Sequence, residues 1–294
     1  MKKGFASRHP LMQTVFFISC ISVTMFIMHP CFLLISFVIS AVSVFMTCGG
    51  KKLLSALKLD LVSSALIMLI NPLISHAGVT ALAYFPDGNP LTLESIIFGA
   101  AAALLMSSAV NWFFCVSVIM TSDRIIYLFG RIAPGLALLI SMTLSFVGKL
   151  SAHYKSIRAV QLVNGEKKSG LLYRLRASVR MISSLIQWAL ENSVDTADSM
   201  KSRGYGTGRR TSYHNFRIRT ADVILTVFFL LTDAVIIAAN ASELIWFSYY
   251  PITSVSVDSL QAAGVFVLFG LMCLVPAADD IREAVKWKHI SSGI

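Results

Sequence analysis

The residues best placed to make a specific contact are Met200-Lys201-Ser202-Arg203-Gly204-Tyr205-Gly206, where a long helical pattern ends on an arginine followed by glycine. A glycine just past the last helical residue takes the left-handed conformation that closes a helix. The arginine before it then projects from the tip, where its guanidinium suits a bidentate pair with a carboxylate. An arginine at that position also answers the helix dipole without any partner. Other chemistry finds few residues to work with. Cys20, Cys31, Cys48, Cys115 and Cys273 lie in or beside apolar runs with no CxxC pair, and read as buried thiols. The six histidines are scattered without ligand spacing, so no metal site is expected. The glycines from Gly204 to Gly208 follow a helix, and no GxxxxGK[ST] occurs, so the chain is not expected to bind ATP or another cofactor. No cluster of His, Asp, Glu or Ser-His residues marks a catalytic centre, and a non-catalytic protein is expected.

The elements that position this tip belong to a membrane protein. The chain has 294 residues, 56% of them hydrophobic and only 14% charged. Mean hydropathy is +0.73. A soluble domain carries about 25% charged residues. The charge is also concentrated: 16 of the 25 Lys and Arg lie between Thr121 and Thr220, against five acids there. Such a basic balance can mark nucleic-acid binding, but loops facing the inside of a membrane are enriched in the same way, and no nucleic-acid partner is expected.

A span needs about 20 mostly apolar residues. Six runs qualify: Leu11 to Met28, Cys31 to Thr47, a third beginning at Leu61 and ending near Asn71-Pro72 or Gly78, Ser95 to Ser122, Val223 to Asn240, and Ser259 to Ala278. His29-Pro30 divides the first two into a tight hairpin, because proline disfavours helix before it and starts the next. Met1 to Arg8 is basic and precedes an apolar run, yet reads as the flank of a retained span rather than a cleaved signal. The three loops on one side, at His29-Pro30, Ser75 to Thr92 and Ala241 to Asp258, contain no Lys or Arg. Every Lys and Arg falls on the other side, which is therefore expected to be cytoplasmic together with both termini.

The expected fold is an all-α integral membrane protein with about six transmembrane helices and long cytoplasmic helices. Residues 1–122 hold four spans, 123–220 a cytoplasmic segment, and 221–294 two spans and a tail. Within the middle segment, Ile132 to Val147 is apolar but flanked by Arg124, Arg131 and Lys149, which favours a helix lying at or dipping into the cytoplasmic face over a crossing. A short basic helix is expected from His153 to Leu162, ending at Asn164-Gly165. Leu171 to Arg203 then runs without Pro or Gly, about 50 Å if fully helical. Its arginines, Arg174, Arg176 and Arg180, crowd the start, and Glu191, Asp195 and Asp198 share a face further on. That order opposes the macrodipole, so these charges are expected to answer headgroups or partner chains, the alternative being a solvated amphipathic face. Asp233 is read as the only acid inside the bundle and, with Asn111, as a structural polar residue paired with neighbours.

Four features together resemble the transmembrane T component of energy-coupling factor (ECF) transporters. They are Asn71-Pro72-Leu73 at the end of a span, the run Met120 to Arg124 leading to Arg131-Ile132-Ala133-Pro134, a helix ending in Gln161 to Gly165, and the long helix ending in Ser202-Arg203-Gly204. The resemblance covers most of the chain. It implies a scaffold in the bacterial cytoplasmic membrane that links two ABC-type ATPase subunits to a small membrane S component, which binds a vitamin or metal ion. In that family two helix tips with a short x-Arg-x motif dock the ATPases. The second motif carries over onto Ser202, Arg203 and Gly204, with Ser for the usual Ala. The first falls at Val163, Asn164 and Gly165, where Asn replaces Arg, so Arg158 would have to supply the charge. The second tip is accordingly expected to bind more tightly. A conventional ABC permease subunit is the alternative, although it would use a short helix-loop-helix rather than about 100 residues to meet its ATPase. An integral-membrane enzyme is a third reading.

Overall fold

The computed structural model describes residues 4–84, 89–163, 170–208, 216–255 and 260–292. Its helices are α1 (Pro10–Phe26), α2 (Pro30–Cys48), α3 (Gly50–Ile74), α4 (Leu93–Ile119), α5 (Ser122–Ile132), α6 (Pro134–Val163), α7 (Leu171–Ser202), α8 (Thr220–Ala241) and α9 (Leu260–Ser292). Two antiparallel ribbons complete it, β1 (Ala81–Tyr84) with β2 (Pro90–Thr92) and β3 (Phe247–Ser248) with β4 (Ser254–Val255). The chain divides into two compact units: one reaches Arg124 and resumes at Phe216, and the other is the stretch between.

In the first unit, α1 and α2 begin alike. Each has proline at its first position and a histidine before it, and Nδ1 of His9 and His29 accepts from the amides of Leu11 (3.3 Å) and Cys31 (3.2 Å). Phe16 of α1 centres the core, its ring 5.3 Å from Phe5, 5.7 Å from Trp112 of α4 and 5.3 Å from Phe229 of α8. Phe32 joins α2 to α9 through Phe266 and Phe269. The outer faces of α3 and α8 are apolar and exposed, as at Leu61, Leu66, Leu69, Ile224, Leu231 and Ile237. Backbone hydrogen bonds are met within each helix, so such a surface is suited to lipid.

Two polar belts mark the ends of this bundle. At one end Arg8 pairs with Asp279 (2.7 Å) and Asp222 (3.2 Å), and the amide of Phe5 donates to Asp280 (3.0 Å). Arg124, just past α4, donates there to Gln13, Ala6 and Ile119. At the other end the Tyr249 hydroxyl donates to the Met28 carbonyl (2.6 Å), Ser95 donates to the Ser75 carbonyl (2.8 Å), and Phe98 packs on Tyr249 and Tyr250. The three loops that lack Lys and Arg therefore gather together, opposite the N-terminal segment.

Among the described residues six helices are long and apolar enough to cross a membrane: α2, α3, α4, α6 (to Gln161), α8 and α9 (to His289). Helix α1 is apolar but has 17 residues, at the lower limit for a span. It nonetheless joins one belt to the other, as α2, α3, α4, α8 and the apolar part of α9 do. In sequence the middle unit lies between Arg124 and Phe216. Helix α5 is too short to cross, and α7 carries three arginines, a lysine and three acids. Helix α6 is long and apolar enough to cross.

Two expectations need correction. The separate helices expected over Ile132 to Val147 and His153 to Leu162 are one 30-residue helix, α6. The single Gly148 between them costs only about 1 kcal/mol relative to alanine and does not break it. Asp233 is also not the only acid in the bundle. Helix α3 begins at Gly50 rather than Leu61, which brings Asp60 inside it, and Asp60 is buried.

Candidate docking tip and its hairpin

The tip is built by the end of α7. Gly204 has φ +80°, its amide donates to the Lys201 carbonyl (2.9 Å), and the Tyr205 amide donates to the Met200 carbonyl (3.0 Å). This pair of bonds is a Schellman closure, and it requires the left-handed residue that glycine supplies. Ser202 and Thr207 brace it, donating to the carbonyls of Ser199 (2.9 Å) and Gly204 (2.7 Å). Ser202, Arg203 and Gly204 are all exposed. Arg203 also lines a groove of about 630 Å³ with Met200, Tyr205, Pro134, Ala137 and Leu138, so the tip lies beside the start of α6 while its guanidinium stays in the open.

Helices α6 and α7 pack as an antiparallel hairpin. Trp188 of α7 is stacked against two rings of α6, Phe146 at 5.8 Å and His153 at 4.4 Å, both within 15° of parallel. Phe146 and His153 are seven residues apart, two helical turns, and so share one face. Arg158 is exposed, five residues beyond His153 and away from Arg203. Arg203 is fifteen residues beyond Trp188 in the opposite direction. At 1.5 Å per residue the two arginines are about 30 Å apart along the hairpin. Asn164 and Gly165, the other half of the first expected tip, lie outside the described residues.

A second groove of about 710 Å³ runs between the helices, lined largely by apolar side chains that include Met142, Phe146, Ile186, Leu190, Ala197 and Met200. Beside it α7 exposes Leu172, Leu175, Val179, Ile182, Ile186, Leu190 and Val194, and α6 exposes Leu136, Leu139, Leu144 and Val147. Those of α7 recur every three or four positions and form one apolar stripe, and those of α6 are likewise left uncovered within the hairpin. Glu191, Asp195 and Asp198 are exposed on α7.

The junctions of this segment were not legible as a site. Arg8 and Arg124 count in the sequence as ordinary inside-facing charges. In the structure hydrogen bonds to Asp279 are the main influence holding the Arg8 guanidinium above its ordinary pKa, and burial lowers that of Arg124. Asp233 accepts from the Ser19 hydroxyl, and Asn111 donates to Asp60 at 2.9 Å, so each has a polar neighbour inside the bundle. The described residues contain no group of three or more His, Cys, Asp or Glu that could hold a metal ion. No family model and no curated protein matches this sequence.

Proposed function

We propose that this chain is the transmembrane coupling subunit of an ECF-type importer. It would transmit ATP-driven movement from two ATPase subunits to a small membrane S component that binds the transported vitamin or metal ion. The observation that supports this most is the α7 tip: an unbroken 32-residue helix that ends in a braced Schellman turn with Arg203 exposed. A continuous helix carries a displacement of its end to its whole length. Arg158 and Arg203, about 30 Å apart by helix rise, give two basic anchor points for two ATPases. The uncovered apolar residues of α6 and α7 offer the S component an apolar surface on which to reorient.

The charge bias supports one orientation. The belt end of the bundle carries Arg8, Lys51, Lys52, Lys58, Arg124, Arg219, Arg282, Lys286 and Lys288, whereas the opposite loops have no Lys or Arg. That end, with both termini and the α6–α7 hairpin, faces the cytoplasm of a bacterial cell. ATP hydrolysis belongs to the partners, and the chain itself is not catalytic.

Purification of the tagged chain in mild detergent tests the reading. Co-isolation of two ATPase chains and a small hydrophobic membrane protein is the expected result. Transport or catalysis by the chain alone would overturn it.

A further inference from the structure

One buried pair takes no part in this coupling scheme. Asp60 on α3 is 4% exposed and Asn111 on α4 is fully buried. Asn111 Nδ2 donates to Asp60 Oδ2 at 2.9 Å, but Asp60 Oδ1 and Asn111 Oδ1 are both buried with no hydrogen-bond partner. Two unmet acceptors inside a membrane-spanning helix pair are costly, and both would be relieved by a positive charge. Asp60 also lines a cavity of about 190 Å³ together with Ser64, Ser107, Phe37, Leu57 and Leu104. Among the described residues no Lys, Arg or His forms an ion pair with Asp60, since the ion pairs found are those of Arg8.

We propose that Asp60, steadied by Asn111, is the anionic ligand of a site for one hydrated monovalent cation of the sodium class. The polar side chains that line the cavity are the Asp60 carboxylate and the Ser64 and Ser107 hydroxyls, all oxygen donors, which suit hard cations. One carboxylate balances one positive charge. A divalent ion would leave a net charge in a low-dielectric setting. The cavity is several times the roughly 30 Å³ share of one water molecule, so the ion keeps part of its hydration shell. Asn111 fixes one carboxylate oxygen and leaves the other for the ion.

The test is thermal unfolding of the purified full chain in mild detergent, with sodium chloride replaced stepwise by choline chloride at constant ionic strength. A ligand that binds only the folded state raises the midpoint as its concentration passes its Kd. The wild type is expected to unfold several degrees higher in sodium. Asp60→Asn, which keeps the shape of the pair, loses that shift. Ser107→Ala moves the sodium titration to higher concentration and serves as the second variant if Asp60→Asn does not fold. A hydrophobic carbodiimide, which modifies only protonated carboxyls, should label Asp60 more slowly as sodium is added. Equal midpoints in the two salts, or labelling of Asp60 that sodium does not slow, would mean that a proton alone neutralises the carboxyl, and would overturn the proposal.

Discussion

Trp188 of α7 lies flat on His153 of α6, ring centroids 4.4 Å apart and planes 14° from parallel, with Phe146 on the same helix stacked beside it. These rings fix the register of the hairpin. Stacked aromatic pairs contribute about 0.5–1.5 kcal/mol each beyond the area they bury. Trp188→Ala is expected to loosen the hairpin without affecting membrane insertion. Amide exchange in the middle of α6 and α7 should rise about tenfold, whereas Trp188→Phe should keep most of the protection. Unchanged exchange in the alanine variant would show that the helices are held elsewhere.

Charge reversal at the tip is the direct check on docking. Arg203→Glu should weaken ATPase co-purification by at least about 30-fold, the lower end of the 2–5 kcal/mol range for losing one partner of a buried charge pair. Arg158→Glu should have a smaller effect, because the first tip lacks the arginine of the family motif. Uptake should fall in the same order, while the amount of protein in the membrane stays the same. Equal losses in both variants would make the two anchors equivalent.

Arg8 answers Asp222 at the start of α8 and Asp279 on α9 together, at 3.2 and 2.7 Å. Arg8→Ala leaves two largely buried carboxylates facing each other and should cost about 3 kcal/mol. The unfolding midpoint in detergent should drop by several degrees. Adding Asp279→Asn to that variant should restore part of the loss, since it removes the repulsion that the first substitution created.

His29 gives the bundle a pH dependence with a definite sign. Its Nδ1 caps α2 through the Cys31 amide at 3.2 Å, its Nε2 is buried with no partner among the described residues, and its ring packs against Phe32, Phe247 and Phe266. Burial holds its pKa below the ordinary value of 6.5. The folded state therefore favours the neutral ring. Its contribution is complete above about pH 6.5, where the unfolded histidine is also neutral, and is lost as pH falls through the depressed folded value. The midpoint should fall between pH 7.5 and pH 5. His29→Asn, which retains a capping side chain, should flatten that slope. A slope unchanged in the variant would assign it to other groups.

Much of the architecture was legible in the sequence because lipid imposes one rule on every span. Long uncharged runs, His29-Pro30 as a helix start, and Gly204 as a helix stop each state a local requirement that nothing distant can override. What escaped depends on distant contacts. Asp60 follows Lys58 closely and looks like the polar flank of a span, and only Asn111, 51 residues later, draws it inside. Arg8 and Arg124 resembled other inside-facing charges until the fold brought Asp222, Asp279, Gln13 and Ala6 to them. The continuity of α6 was obscured by a polarity change near Gly148, although polarity alters a helix's surroundings and not its backbone.

Because Arg124 and Asp222 are both tied to the N-terminal segment, through Ala6 and Arg8, the two parts of the bundle that flank the middle stretch in sequence are joined to each other without it. The intervening stretch is thus an insertion into an already closed scaffold. A short flexible loop in its place should leave a bundle that still inserts and holds its own polar belts.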